Sequence, residues 1–361
     1  MNEDSLLQFL KKKSLLTVAK RYKRVFEKVL STAIGVRKGE VLIISDWGSK
    51  ERRVAPIMTG SYLLAAESVG CKVNVIMQNP RTDGSRAEPC VVQGMKQLKD
   101  RSTVILNSSN KAGMNKALGK NYRRFLNFRG CKFATTPGLG SLKSTDIFNI
   151  ISPFDIDYRK MKIEAMAIKK KLDFGRNLTI TTKTGTSLDI DIRGKNSIAI
   201  DGNYNKFPSG GNMPPGEVYL APGKVNGKLV IDGSSRVIYG TMKIEQPITL
   251  KIRNGIVLGV EGGSEARMLK LCLSSAMKRS SAPSNVKRIG EVGIGLNPKA
   301  KIYGAMVIDE KALGTAHLAL GSNSWFGGDI HSILHLDQVF KNPEIKIDNK
   351  LLDLPRRKDL L

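Results

Sequence analysis

Three histidines occur in 361 residues, and all of them, His317, His331 and His335, lie in the stretch "EKALGTAHLALGSNSWFGGDIHSILHLDQVF". Imidazole ligates borderline divalent ions and exchanges protons near neutral pH, so this crowding points to a local chemical task. His335-Leu336-Asp337 has the two-residue period of a strand, which places an imidazole and a carboxylate on one side. Such a pair at a strand end suits a divalent cation. His317 stands in "GTAHLALGS", an apolar setting where an unpaired polar group is costly. His331, four residues before His335, could share one face with it if the stretch were helical. By itself the HxD pair is a weak signal, because separately satisfied histidines, one of them oriented by Asp337, give the same pattern.

Two glutamates shift that balance. Glu217 follows a diproline-glycine turn in "NMPPGEVYLAPG", and Glu291 stands in "GEVGIGLNP". Each lies in a largely uncharged local sequence and precedes a strand-like run. A lone glutamate beside a turn ordinarily faces solvent. Glu217, Glu291, His317, His335 and Asp337 taken together make a set of five metal ligands, provided that strand ends converge.

The elements that must position them divide the chain in two. Helical spacing between lysines and arginines predicts an amphipathic helix over 8–34, broken near Ser14–Leu15. Short apolar strands at 39–50, 71–78, 102–109 and 131–138 alternate with helices at 53–70, 88–98 and 113–130, where Pro56 sits in a first turn. This alternation predicts an α/β N-terminal domain with a parallel sheet over 1–150. A linking helix is expected within 151–175. Beyond it the period changes to two, and Gly, Pro and Asn turns separate many short strands. Residues 176–361 therefore read as a mostly β (α+β) metal-binding catalytic domain, with one clear helix at 264–279. Neither a GxGxxG after the first strand nor a GxxxxGK[ST] loop is present, which argues against a nucleotide-binding domain.

Composition sets the outer bounds. An apolar content of 41% and 35 glycines suit a globular chain with enough residues for two cores. Apolar runs are too short or too often interrupted for a spanning helix, and "MNEDSLLQFLKKK" lacks the order of a signal peptide. A cytoplasmic protein without membrane attachment is the expectation. Cys71, Cys90, Cys131 and Cys272 are scattered singly and read as buried small hydrophobes. The net charge of +27 makes anionic partners, nucleic acid among them, chemically reasonable. Its basic runs, at 11–23, 169–171, 277–288 and 355–358, are dispersed and form no nucleic-acid motif, so a lysine-rich solvated surface is the simpler reading.

"GTSLDIDIRG…FPSGGNMPPGEVYLAP", "VEGGSEA", "GEVGIGLNP", "EKALGTAHLALG" and "SILHLD", in this order over roughly 180–340, resemble the thermophilic aminopeptidase T family of metallo-aminopeptidases, staphylococcal aminopeptidase S included. That resemblance implies two divalent ions, Zn or Co with Fe or Mn as substitutes, in a homodimer that hydrolyses short peptides from a free N-terminus. It implies Glu217 as the carboxylate touching both ions and Glu291 as the second carboxylate, these two being the catalytic pair. His317, His335 and Asp337 complete the shell. The family commonly has a tyrosine seven residues beyond the GTxHxAxG histidine; here that position is Ser324. Trp325 and Phe326 beside it are candidates for lining a pocket, and His331 has no family counterpart.

A second metal chemistry stays open within the same wider superfamily. A mononuclear iron ring-cleaving dioxygenase of the hydroxypyridine type needs two histidines and one carboxylate with free positions, which His317, His335 and Asp337 supply. Retention of Glu217 and Glu291 favours the hydrolase, while Ser324 leaves room for the oxygenase. A divergent metal enzyme or a non-enzymatic binding protein is the remaining alternative, and the latter predicts that the five residues do not meet.

Overall fold

The computed structural model describes residues 3–82, 84–115, 118 and 122–355. They fall into two compact units, one running to Tyr158 and including Gly202–Pro215, the other comprising Arg159–Asp201 and everything from Gly216 on.

The first unit is built on five parallel strands in the order Cys71–Gln78, Gly39–Asp46, Thr103–Asn107, Lys132–Thr136, Ser209–Asn212. Thr103–Asn107 and Lys132–Thr136 are buried along their whole length, as parallel strands covered on both faces must be. Helix Val54–Ser68 connects Gly39–Asp46 to Cys71–Gln78, and helix Pro89–Lys96 connects Cys71–Gln78 to Thr103–Asn107, with Pro56 in the first turn of the former. The N-terminal helical run breaks at Ser14, whose φ is +58°. Of the helix expected over 113–130, Tyr122–Phe128 is observed; positions 116, 117 and 119–121 lie outside the described residues. So do 356–358 of the last basic run.

The fifth parallel strand comes from a stretch that sequence reading assigns to the second domain. "SGGN" has no strand period, yet its glycines are required. A Cβ at Gly210 would stand 2.5 Å from the Phe133 ring and carbonyl oxygen, so only glycine lets this backbone pair with Lys132–Thr136.

The second unit holds two seven-stranded sheets in which all pairs are antiparallel. One runs from Ile256–Glu261 to Lys350–Leu351 and includes the Asn177–Thr181/Ser187–Asp191 hairpin. The other has at its centre His335–Lys341, Thr315–Gly321, Ile289–Gly295 and Glu217–Leu220, in that order. Helix Ser264–Arg279 buries Ala266, Leu269, Cys272, Leu273 and Ala276. The fold is thus an α/β unit with a parallel sheet and a mostly antiparallel β unit. All four cysteines are free. No helix among the described residues is long and apolar enough to cross a membrane.

Candidate metal centre

Four adjacent strands each contribute to one face of the second unit's central sheet. Asp337 is opposite Ala319, which is opposite Glu291; in the next row Val339, His317, Gly293 and Tyr219 are aligned. Because side chains alternate, His335 and Asp337, His317, Glu291 and Glu217 all project from the same face. Small residues separate them. Ala319 leaves the space between Asp337 and Glu291 open, and a Cβ at Gly293 would stand 2.2 Å from the Cε1 and Nε2 of His317. Glycine there lets the imidazole lean across its neighbouring strand.

A bulge tunes the aim of Glu291. The pairing register shifts between Ile289 and Glu291, and Gly290 in the bulge approaches so closely that a Cβ would lie 2.3 Å from the Gly321 carbonyl oxygen. Bulges of this kind re-aim a side chain without ending the ladder.

The resulting contacts are dense. His317 Nε2 lies 3.1 Å from Glu291 Oε1 and 3.9 Å from Glu217 Oε2. His335 Nε2 lies 3.2 Å from Asp337 Oδ1 and 3.5 Å from Glu291 Oε2. The Nδ1–H of His335 donates to the Ser322 carbonyl at 2.8 Å, which turns Nε2 toward the carboxylates. Fixing one ring nitrogen by a backbone carbonyl is how a ligating histidine is ordinarily oriented. Donor atoms of Glu291, His317 and Asp337 all lie within 4.8 Å of one another. His317 is fully buried, and its Nδ1 meets no hydrogen-bond partner among the described residues.

Two further charges belong to this cluster and escaped the sequence reading. Lys311, fully buried, donates from Nζ to Glu217 Oε1 at 2.8 Å and to Glu310 Oε1 at 2.5 Å. Their signal was the "DEK" cluster inside the largely apolar "MVIDEKALGTAHLALG", since a charge placed in such a run needs a partner. Glu217 is therefore already matched by an ammonium. Four carboxylates, Glu217, Glu291, Glu310 and Asp337, face this one lysine and two imidazoles.

The electrostatics follow from that imbalance. Burial opposes charge on His317, but the hydrogen bond it donates to Glu291 and the charges of Glu291, Glu217 and Asp337 push it up to about 9. Burial likewise opposes charge on His335, and Asp337, Glu291 and the Ser322 carbonyl push it up to about 10. Burial would raise Asp337, yet His335 beside it holds that carboxyl well below the usual range. Glu291 goes up because its burial outweighs both imidazoles. Burial also drives Glu310 up to about 8 against the pull of Lys311, with Glu217 and Asp337 adding to the rise. Without a cation the cluster retains protons to balance its negative charge. Two imidazoles with convergent carboxylates form a donor set that fits a borderline divalent ion such as Fe(II).

The remaining sequence candidates lie elsewhere. His331 is exposed, and its carbonyl accepts a hydrogen bond from Asn285 Nδ2 at 3.0 Å; the segment before His335 is not helical, so the two histidines share no helix face. Ser324 is exposed on the loop joining two of the site strands. Trp325 and Phe326 of this loop stand against His335, with centroid separations of 4.9 and 6.3 Å.

The family model of NicX, 2,5-dihydroxypyridine 5,6-dioxygenase, matches residues 150–352, more than half of the chain and all of the cluster. The chain belongs to the NicX family. It is 26% identical over 204 residues to the 2,5-dihydroxypyridine 5,6-dioxygenase of Pseudomonas putida strain KT2440, a match spanning 54% of this chain and 57% of the relative. Among solved structures it is similar to the 2,5-dihydroxypyridine dioxygenase of the same organism, with a TM-score of 0.71 at 18% identity over 93% of this chain and 96% of the other. It is also similar to wild-type AmpT from Thermus thermophilus, with a TM-score of 0.60 at 17% identity over 93% and 98%.

These findings correct the aminopeptidase expectation. NicX-family membership points to a dioxygenase instead of a hydrolase, peptidase or metalloprotease, and the likeness to AmpT is one of fold. The glutamates taken as the mark of a two-ion hydrolase include one, Glu217, that is neutralised by Lys311.

Proposed function

We propose that this chain is a mononuclear iron-dependent dioxygenase that opens the ring of a dihydroxypyridine, with 2,5-dihydroxypyridine as the first substrate to test. The observation that carries this reading is the meeting of His317, His335 and Asp337 on one sheet face within the segment that matches the NicX family. In this reading the two imidazoles and Asp337 would hold one Fe(II), and Glu291 lies beside them.

A bound ferrous ion supplies open coordination positions and the redox couple that the reaction of O₂ with an aromatic ring requires. The chain's own residues do the rest. Ser322 holds His335 in one tautomer, Glu291 spans both imidazoles, and Gly293 gives His317 its lean. Lys311 acts as a positioning residue: its ammonium pairs with both Glu217 and Glu310 and holds the Glu217 carboxylate beside His317. Burial of these groups keeps water from their charges, which strengthens each interaction among them.

The test is oxygen uptake by the anaerobically iron-loaded chain on addition of 2,5-dihydroxypyridine, with iron and zinc content measured on the same sample. Stoichiometric oxygen consumption with loss of the substrate's ring absorbance is expected. An iron-replete protein that consumes no oxygen would reject the assignment.

A further inference from the structure

The metal centre has one side that is not closed, and that side is aromatic. The side chain of His317 has no exposure, those of Glu217, Glu291 and Asp337 have 5, 7 and 12%, and that of His335 has 22%. The cluster therefore meets solvent beside His335. At this rim Trp325 stands edge-on to the His335 ring, 4.9 Å away at 66°. Phe326 touches Trp325 at 5.2 Å and Tyr219 at 5.1 Å, the latter from the same sheet face as Glu217. Phe326 is buried by these contacts, whereas Trp325 remains 54% exposed.

The exposure of Trp325 does not come from a loosely held loop. Asn323, buried, donates from Nδ2 to the Gly290 carbonyl at 3.0 Å and accepts from Ile330 N at 2.8 Å. Its own carbonyl accepts from Phe326 N at 3.2 Å and Gly328 N at 3.1 Å. Gly328 passes so close to the Asn323 amide that a Cβ there would lie 2.0 Å from it. Ser322, one residue earlier, is the residue whose carbonyl orients His335. One loop thus sets both a candidate ligand and the tryptophan beside it.

We propose that Trp325 is a specificity-determining residue, an aromatic shelf on which the planar ring of the substrate lies while its oxygens reach the metal beside His335. This rests on the dioxygenase reading for the identity of the ring, and it names the substrate class as flat aromatic chelators. A fixed indole face offers contact at little cost in lost freedom, and aromatic stacking adds selectivity for planar rings over aliphatic chains.

The test separates the ring from the chelating group. Benzohydroxamate and acetohydroxamate share one metal-binding head and differ in the ring. Their binding to the ferrous full-length chain is measured by calorimetry under argon. The parent is expected to prefer benzohydroxamate by about tenfold, Trp325→Ala to lose that preference while holding acetohydroxamate unchanged, and Trp325→Phe to keep roughly threefold or more. No preference in the parent, including no binding of either probe, overturns the proposal. So does a Trp325→Ala protein that keeps the preference, or one that weakens on both probes equally. Failure of the dioxygenase reading shows separately, as absent oxygen uptake with 2,5-dihydroxypyridine while the hydroxamate preference stands.

Discussion

Each unit of this molecule buries carboxylates at the end or in the middle of a strand, yet the two treat them differently. In the parallel sheet, Asp46 accepts from Gly48 N at 2.9 Å, Ser109 N at 2.6 Å and Ser109 Oγ at 2.5 Å. Burial raises this carboxyl, and those neutral donors oppose the rise by satisfying its oxygens from fixed positions. In the antiparallel sheet, Glu291 and Asp337 meet imidazoles that are themselves titratable, and Glu217 meets a lysine. A carboxylate closed by backbone and hydroxyl donors holds a turn in place. One closed only by exchangeable protons is ready to trade them for a metal ion, because ligation requires the same lone pairs. Burial of an acid does not mark a site; the kind of partner does.

The largest break in that comparison is expected from His335→Ala. It should lower iron retention and oxygen uptake by about 100-fold or more, with the fold kept, as read by metal analysis and circular dichroism. Lys311→Met comes next. It leaves Glu217 and Glu310 buried without their cation and should cost about 3–5 kcal/mol of stability, with partial recovery in a Glu217→Gln background; denaturant titration measures both.

The third expectation concerns pH. His317 and His335 are pushed up to about 9 and 10, so near neutral pH both imidazoles carry the proton that a metal must displace. An imidazolium cannot ligate, so apparent metal affinity should rise by about tenfold per pH unit for each proton released. The sign for the metal-free protein is the reverse: contacts made by the charged imidazoles stabilise it below the unfolded value and are lost as pH rises through 9–10. Metal titrations at pH 6, 7 and 8 check the first, and urea midpoints of the metal-free chain check the second. The smallest effect belongs to the other sheet. Asp46→Asn should cost about 1 kcal/mol through one lost hydrogen bond and leave iron content unchanged.

Local patterns carried a good share of the fold. Val41–Ile44, Val104–Leu106 and the alternating Leu178, Ile180, Leu188 and Ile190 announce their strands because burial on two faces or on one leaves a period in the residues themselves. The five candidate ligands were likewise legible as chemistry, and the folded chain brings them into one network. What was hidden depends on residues distant in sequence. Ser209–Asn212 joins the parallel sheet through glycines that admit Phe133, and the glycine bulge at 290 is visible only against Gly321. Lys311 looked like one more lysine of a basic chain until Glu217, 94 residues away, appeared beside it.

The sequence alone determined which groups are available: three histidines gathered near one end, carboxylates set in uncharged runs, and glycines at the positions between them. It determined the two regimes of periodicity as well, because residue type and spacing act over a few neighbours. Only tertiary structure decided which carboxylate answers which cation, and that Glu217 faces Lys311 while Glu291 spans two imidazoles. The reason is physical: pairing across a sheet depends on strand order and register, and no short stretch of chain encodes those by itself.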